Sequence, residues 1–208
     1  MVQDPKPEPP VFPLLLTVLA SASPSASGPL DLDVMRRCAY TAGGPTEGLG
    51  GFGSSGNTAR PIEADMAALE RLTLAVAPEE TPSLGDGVTG LAVYLVNPTD
   101  EPVVLSAQDS MLSMVQEARG SDGEWAPIEH MPQSWCGNSY HTVALQPTSY
   151  WRFTAPRYTG DFATEIRFRL DGPDGPLYSA AFDGHINQTQ FGEKQGHTPG
   201  NIMDPYQE

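Results

Sequence analysis

From Leu72 to Phe182 apolar side chains return at every second position, and this period restricts the segment to half-buried strands, because only an extended backbone sends alternate side chains to opposite faces. Phe162, Thr164, Ile166, Phe168 and Leu170 give the longest run, with Glu165, Arg167 and Arg169 on the face that points away. Leu72, Leu74 and Val76 read as one strand, stopped by Pro78. Leu91, Val93 and Leu95 read as the next, stopped at Asn97-Pro98-Thr99-Asp100, where the residue before proline is pushed out of the helical region. Val103 to Leu105 is short, and Leu112, Met114 and Gln116 alternate with Met111, Ser113 and Val115. Trp125 to Ile128 returns after the turn Gly120-Ser121-Asp122-Gly123. Thr142 to Leu145 and Tyr150 to Thr154 form a hairpin across Gln146-Pro147-Thr148-Ser149, and Leu177 to Phe182 follows the turn Asp171-Gly172-Pro173-Asp174-Gly175-Pro176.

About eight short strands with no helix between them predict an all-β, antiparallel β-sandwich over residues 62–191, with a closed barrel as the alternative. Strand count and the hairpin from Val143 to Phe153 make the segment from about Leu69 to Phe191 resemble immunoglobulin-like sandwiches of secreted bacterial proteins. That resemblance concerns the fold, and function has to be argued from a site. Ile62, Met66 and Leu69, spaced i, i+4, i+7 after Pro61, predict one short helix over Ile62 to Arg71.

The residues ahead of this segment have a different composition. Val11 to Ala20 is an apolar run of ten, too short to cross a bilayer as a helix. Ala20-Ser21-Ala22 follows at once, so residues 1–22 read as the apolar and cleavage regions of a secretory signal peptide, although Met1 to Pro10 sets only Lys6 against Asp4 and Glu8 where such a signal is basic. The expected location is secreted, periplasmic or cell-envelope, with a cytoplasmic protein as the alternative. Val34-Met35-Arg36-Arg37 is not a lipobox, which argues against a lipid anchor on Cys38. Residues 23–61 read as a flexible linker, because Ala42 to Pro61 is Gly, Ser, Thr, Asn and Pro with almost nothing to bury. Residues 192–208 read as a polar, disordered tail. Within the linker, Gly48-Leu49-Gly50-Gly51-Phe52-Gly53 matches the dinucleotide pattern, but neither flank is a strand or a helix, so the pyrophosphate would meet no helix N-terminus and no cofactor is expected.

Charge narrows the partners. Twenty-six acidic residues face 11 basic ones, a formal net charge of −15. Nucleic-acid binding needs a basic footprint to neutralise phosphates, and an anionic membrane surface would repel the chain, so neither is expected. No transmembrane segment is expected, and the ordinary consequence of the charge is solubility. Composition is silent on oligomeric state.

One segment gathers chemistry. His130, Trp135, Cys136, Asn138, Tyr140 and His141 fall within twelve residues that break the alternation. Loops on a rigid scaffold are where sites collect. Cys136 with His141 or His130, oriented by Asn138, has the residue types of a thiol hydrolase. Cys136, His141 and Gln146 have the Cys–His–axial-ligand spacing of stellacyanin-like cupredoxins, but that centre needs a second, upstream His, and none precedes His130. Alternatively, Trp135 and Tyr140 present aromatic surface to a partner, with Asn138 and His130 beside them. Cys136 is then a buried thiol or one half of a bridge to Cys38 across 97 intervening residues, a closure of roughly 4–5 kcal/mol on loop entropy. Glu129 with Glu165 is a carboxylate pair of the kind used in sugar hydrolysis, and Asp171, Asp174 and Asp183 are candidates for Ca²⁺, though no EF-hand spacing is present. Asn187-Gln188-Thr189 is a glycosylation acceptor in a secreting eukaryote.

Taken together, the chain reads as an exported, non-enzymatic sandwich module that binds a protein or glycan of the cell envelope. The alternatives are a small thiol- or metal-dependent enzyme using Cys136 and His141, and a purely structural module.

Overall fold

The computed structural model describes residues 40–44, 55–85, 88–129 and 139–192. These residues are all-β, with every pairing between named strands antiparallel and one turn of 3-10 helix, Gln188–Gly192, after the last strand. The first sheet runs β1 (Arg60–Pro61), β10 (Ser149–Pro156), β4 (Val88–Asn97), β2 (Thr73–Ala77), with β3 (Ser83–Gly85) also on β4. The second runs β12 (Gly175–Tyr178), β11 (Phe162–Gly172), β7 (Met114–Arg119), β8 (Trp125–Pro127), with β13 (Phe182–Ile186) also on β11. The third is β6 (Met111–Leu112), β5 (Val103–Gln108), β9 (Tyr140–Leu145).

One core serves all three sheets, which makes the arrangement sandwich-like. Leu91, Val93 and Leu95 enter it from the first sheet, Met114, Phe168 and Leu170 from the second, and Leu105, Val143 and Leu145 from the third. Each of these sits at alternate positions of its strand, as the period-two pattern requires. The second and third sheets join at Ser113, the single residue between β6 and β7. There the chain leaves β5 and takes up pairing with β11. Ser113 holds that corner through its carbonyl, which accepts from the Asp171 N–H at 2.9 Å, and through Oγ, which donates to Asp171 Oδ2 at 2.6 Å. Asn97, fully buried, pins the turn after β4: its Nδ2 donates to the carbonyls of Glu101, Leu145 and Gln146, and its Oδ1 accepts from the Thr99 backbone.

Three expectations change. Residues 40–44 and 55–61, read as linker, are packed into the domain. Tyr40 and Ala42 are core residues, Thr41 bridges Met111, and Leu112 and Ala42 exchange backbone hydrogen bonds with Tyr40 and Ser110. The two-residue edge strand β6 has backbone groups to satisfy, and this segment satisfies them. The helix expected over Ile62 to Arg71 is a pair of tight turns instead, closed by Met66 N–H to Glu63 and Leu69 N–H to Met66. So short a helix barely nucleates on its own, and Glu63 is engaged elsewhere, accepting the Tyr150 hydroxyl at 2.8 Å. The strand expected over Leu177 to Phe182 is two strands, β12 and β13, laid successively along the same edge of β11.

Thr148, in the hairpin between β9 and β10, has φ of 47°. A β-branched residue pays for the left-handed region with a Cβ clash of about 1–2 kcal/mol, which Asn relieves in part. Thr148 is exposed, so the exchange disturbs no packing. Thr148→Asn is therefore expected to raise unfolding free energy by about 0.5–1 kcal/mol, read from the urea midpoint at constant slope. A lowered midpoint would show that the threonine makes a compensating contact.

Candidate functional site

His130, Trp135, Cys136 and Asn138 lie outside the described residues, as does Cys38 with the bridge it would form. The two ends of their loop are described. At its far end, Tyr140 opens β9 half-buried, opposite Gln108. His141 points inward on the face of Val143 and Leu145 and is 8% exposed. Its Nδ1 lies 3.1 Å from the Ser139 carbonyl. A carbonyl only accepts, so Nδ1 is the donor in this contact. The His141 Nε2 is buried and has no hydrogen-bond partner among the described residues.

The copper spacing does not survive in three dimensions. His141 and Gln146 are five residues apart along an extended strand, about 17 Å, too far to ligate one ion. The same arithmetic separates the aspartates. Asp171 and Asp183 sit at positions along β11 six residues apart, about 20 Å, and among the described residues no group of acids, His and Cys forms a metal cluster.

At the near end of the loop is Glu129, which the sequence offered only as half of a carboxylate pair. It is fully buried. Tyr40 Oη donates to both of its oxygens, at 2.8 and 2.9 Å. Tyr158 Oη donates at 3.0 Å, and Gln116 donates twice, from its backbone N–H and from Nε2, each at 2.8 Å. Burial pushes the Glu129 carboxyl above the usual carboxylate range, against the opposing pull of these donors. The nest suits either protonation state, because a tyrosine hydroxyl accepts as readily as it donates. Glu165 is no partner for it: Glu165 lies on the solvent face of β11, ion-paired to Arg119 at 2.7 Å, whereas Gln116 meets Glu129 from the core face of the same sheet. A carboxyl with no exposed surface cannot touch a substrate, so Glu129 is a structural tie between residue 40, β7 and the chain after β10.

The second place with unusual chemistry is the solvent face of the second sheet. Arg167 lies with its guanidinium 4.3 Å from the ring centre of Trp125 and 4.0 Å from that of Tyr178. Glu117 holds it from below at 2.7 Å and holds Arg169 at 3.0 Å. Glu117 is only 5% exposed on its side chain, so this is a well-shielded ion pair on a sheet face. The row Trp125, Glu117, Arg167, Tyr178 crosses all four strands β8, β7, β11 and β12. Alternation alone put Arg167 and Arg169 outward. Nothing local said that Trp125 and Tyr178 would flank them, since that depends on register.

No protein-family model, no curated protein and no solved structure matches the chain. Among the described residues, two surface depressions are lined by other residues, around Phe162 and Phe191 in one and Pro61 and Pro147 in the other.

Removing the Tyr40 hydroxyl leaves a buried carboxyl short of a donor, and Tyr40→Phe is expected to cost about 1–3 kcal/mol in denaturant unfolding. An unchanged midpoint would sink the tie. The elevated folded-state pKa of Glu129 also has a pH signature. Its contribution is fully present below the usual carboxylate range and is lost as pH rises through the folded value. The stability of the wild type relative to Glu129→Gln is accordingly expected to grow as pH falls toward the usual carboxylate range from above it. A difference that stays flat over that window would contradict it.

Proposed function

We propose that the chain is an exported, non-enzymatic binding or accessory module of the cell envelope, built on an immunoglobulin-like β-sandwich and recognising a protein or a glycan. The observation that carries this reading is the row across the second sheet, in which Arg167 is held between Trp125 and Tyr178 and anchored by Glu117. Aromatic and arginine side chains are the residues that dominate binding surfaces, because they bring large contact area at low entropic cost. Here they are already immobilised, so a partner pays little to order them. The loop residues Trp135 and Tyr140, with Asn138 and His130, remain the second candidate contact.

The test is a glycan array and an array of envelope proteins, probed with the full chain. Trp125→Ala with Tyr178→Ala is expected to weaken any ligand found by at least about tenfold while the fold is retained. Loss confined to Trp135→Ala with Tyr140→Ala would move the contact to the loop, and ligands indifferent to both pairs would overturn the reading. Intact mass from a secreting host, with thiols alkylated under denaturing, non-reducing conditions, checks export and the cysteines together. Loss of about 22 residues without alkylation is the expected outcome.

The thiol- or metal-dependent enzyme rests on one observation, the buried His141 Nε2 that has no hydrogen-bond partner among the described residues. Turnover of ester, thioester or peptide probes that disappears in Cys136→Ser would establish it. Turnover intact in that variant would end it.

A further inference from the structure

The two rings of the row differ in what they leave open. Trp125 is half-buried, but Tyr178 is 45% exposed with one ring face already covered by Arg167, so its exposed area is the other face and the edge. The surroundings are acidic. Asp171 is an exposed residue on the same face as Tyr178, two positions along the β11–β12 ladder. Asp122 and Glu124 before β8, Asp174 before β12, and Asp183 beside Glu165 are exposed around it. The arginines of this face are engaged internally, Arg119 with Glu165, Arg167 with Glu117, and Arg169 with Glu117 and, at 3.8 Å, with Asp171, whose other oxygen accepts the Ser113 hydroxyl but whose side chain is still 51% exposed. What the face offers outward is therefore a ring and carboxylates, on a chain of formal net charge −15.

We infer that this face docks a basic protein segment, taking an arginine of the partner onto the open side of Tyr178 with its charge met by Asp171. The inference rests on the binding-module reading and names its partner. Charge complementarity excludes a second copy of this chain as the occupant and steers a cationic one in. Arg167 shows how a guanidinium sits against these rings: its carbon 4.3 and 4.0 Å from the two ring centres, with its nitrogens held by a carboxylate. Only a planar guanidinium does both at once, whereas an ammonium acts as a point charge, so the face selects arginine over lysine.

The experiment titrates the full chain with fluorescent nona-arginine and nona-lysine peptides at low and at physiological salt. The arginine peptide is expected to bind about tenfold tighter than the lysine peptide. Tyr178→Ala and Asp171→Asn are each expected to weaken it several-fold, to about tenfold. Tyr178→Phe keeps the ring and should keep binding, which separates loss of the contact from loss of the fold. Asp100→Asn with Glu101→Gln removes two exposed charges from the turn between β4 and β5 and should leave binding unchanged. Equal affinity for the two peptides, or equal weakening by the Asp100 and Glu101 changes, would reduce the effect to bulk charge and overturn the inference. Binding of neither peptide would overturn it as well. If a glycan or a neutral protein were meanwhile lost on Trp125→Ala with Tyr178→Ala, the module reading would stand without a basic partner.

Discussion

Burying a carboxyl is costly unless donors surround it, and this structure has gathered them from three distant parts of the chain around Glu129. Tyr40 comes from the stretch ahead of the first strand, Gln116 from β7, and Tyr158 from the chain beyond β10. The Tyr40 ring also stands edge-on to Phe153 and Phe168, at 6.3 and 5.9 Å, so the hydroxyl contact and the aromatic core hold the same residue. With Tyr40 in place, Thr41 bridges Met111 of β6, Gly43 bridges Thr58, and the Gly43 carbonyl accepts the Trp151 indole N–H at 3.0 Å. The largest fully buried side chain of the core therefore takes its hydrogen bond from a segment that the Glu129 nest helps to place.

Nine of the 11 basic residues are arginine, and one on each exposed sheet face, Arg152 and Arg167, lies against tyrosine or tryptophan and is closed by a glutamate. On the first sheet Arg152 lies 5.9 Å from the Tyr94 ring centre and meets Glu80 at 3.0 Å. The Tyr94 hydroxyl, pushed up to about 12 by burial and by its hydrogen bond to Glu80, stays protonated there. The second sheet repeats the device with Trp125, Tyr178, Arg167 and Glu117. In a strongly acidic protein this arrangement covers apolar ring surface with guanidinium planes and neutralises acids that would otherwise crowd the strands. The difference between the two faces is the ring left open at Tyr178.

How much of this was legible depends on the range of the signal. Strand positions were readable because alternation is local: Phe162 to Leu170, Leu91 to Leu95 and the hairpin around Pro147 are strands where the pattern placed them. The stretch around Ala42 was misread as linker because its composition is dominated by small and polar residues. One tyrosine and one alanine decide its burial, and a compositional average cannot weigh them. The break between β12 and β13 falls where the alternation shifts by one residue: Leu177 and Phe182, five positions apart, both pack against the core, opposite Leu170 and Ile166 of β11. Of the loop candidates, His141 proved to face inward, which its place between Tyr140 and Thr142 did not reveal.

The amino-acid order thus determined the all-β class, the main strands and turns, and the sign of the surface charge, since each follows from spacing or from counting. Tertiary structure decided which outward residues became neighbours. Trp125, Glu117, Arg167 and Tyr178 belong to four different strands, and only the pairing register brings them into one row. Likewise, Glu129 became a buried tie only because Tyr40, 89 positions away, folds back onto it. A period of two fixes the face a side chain takes, but the order and register of strands are set by contacts far apart in sequence, and those contacts place both the tie and the face.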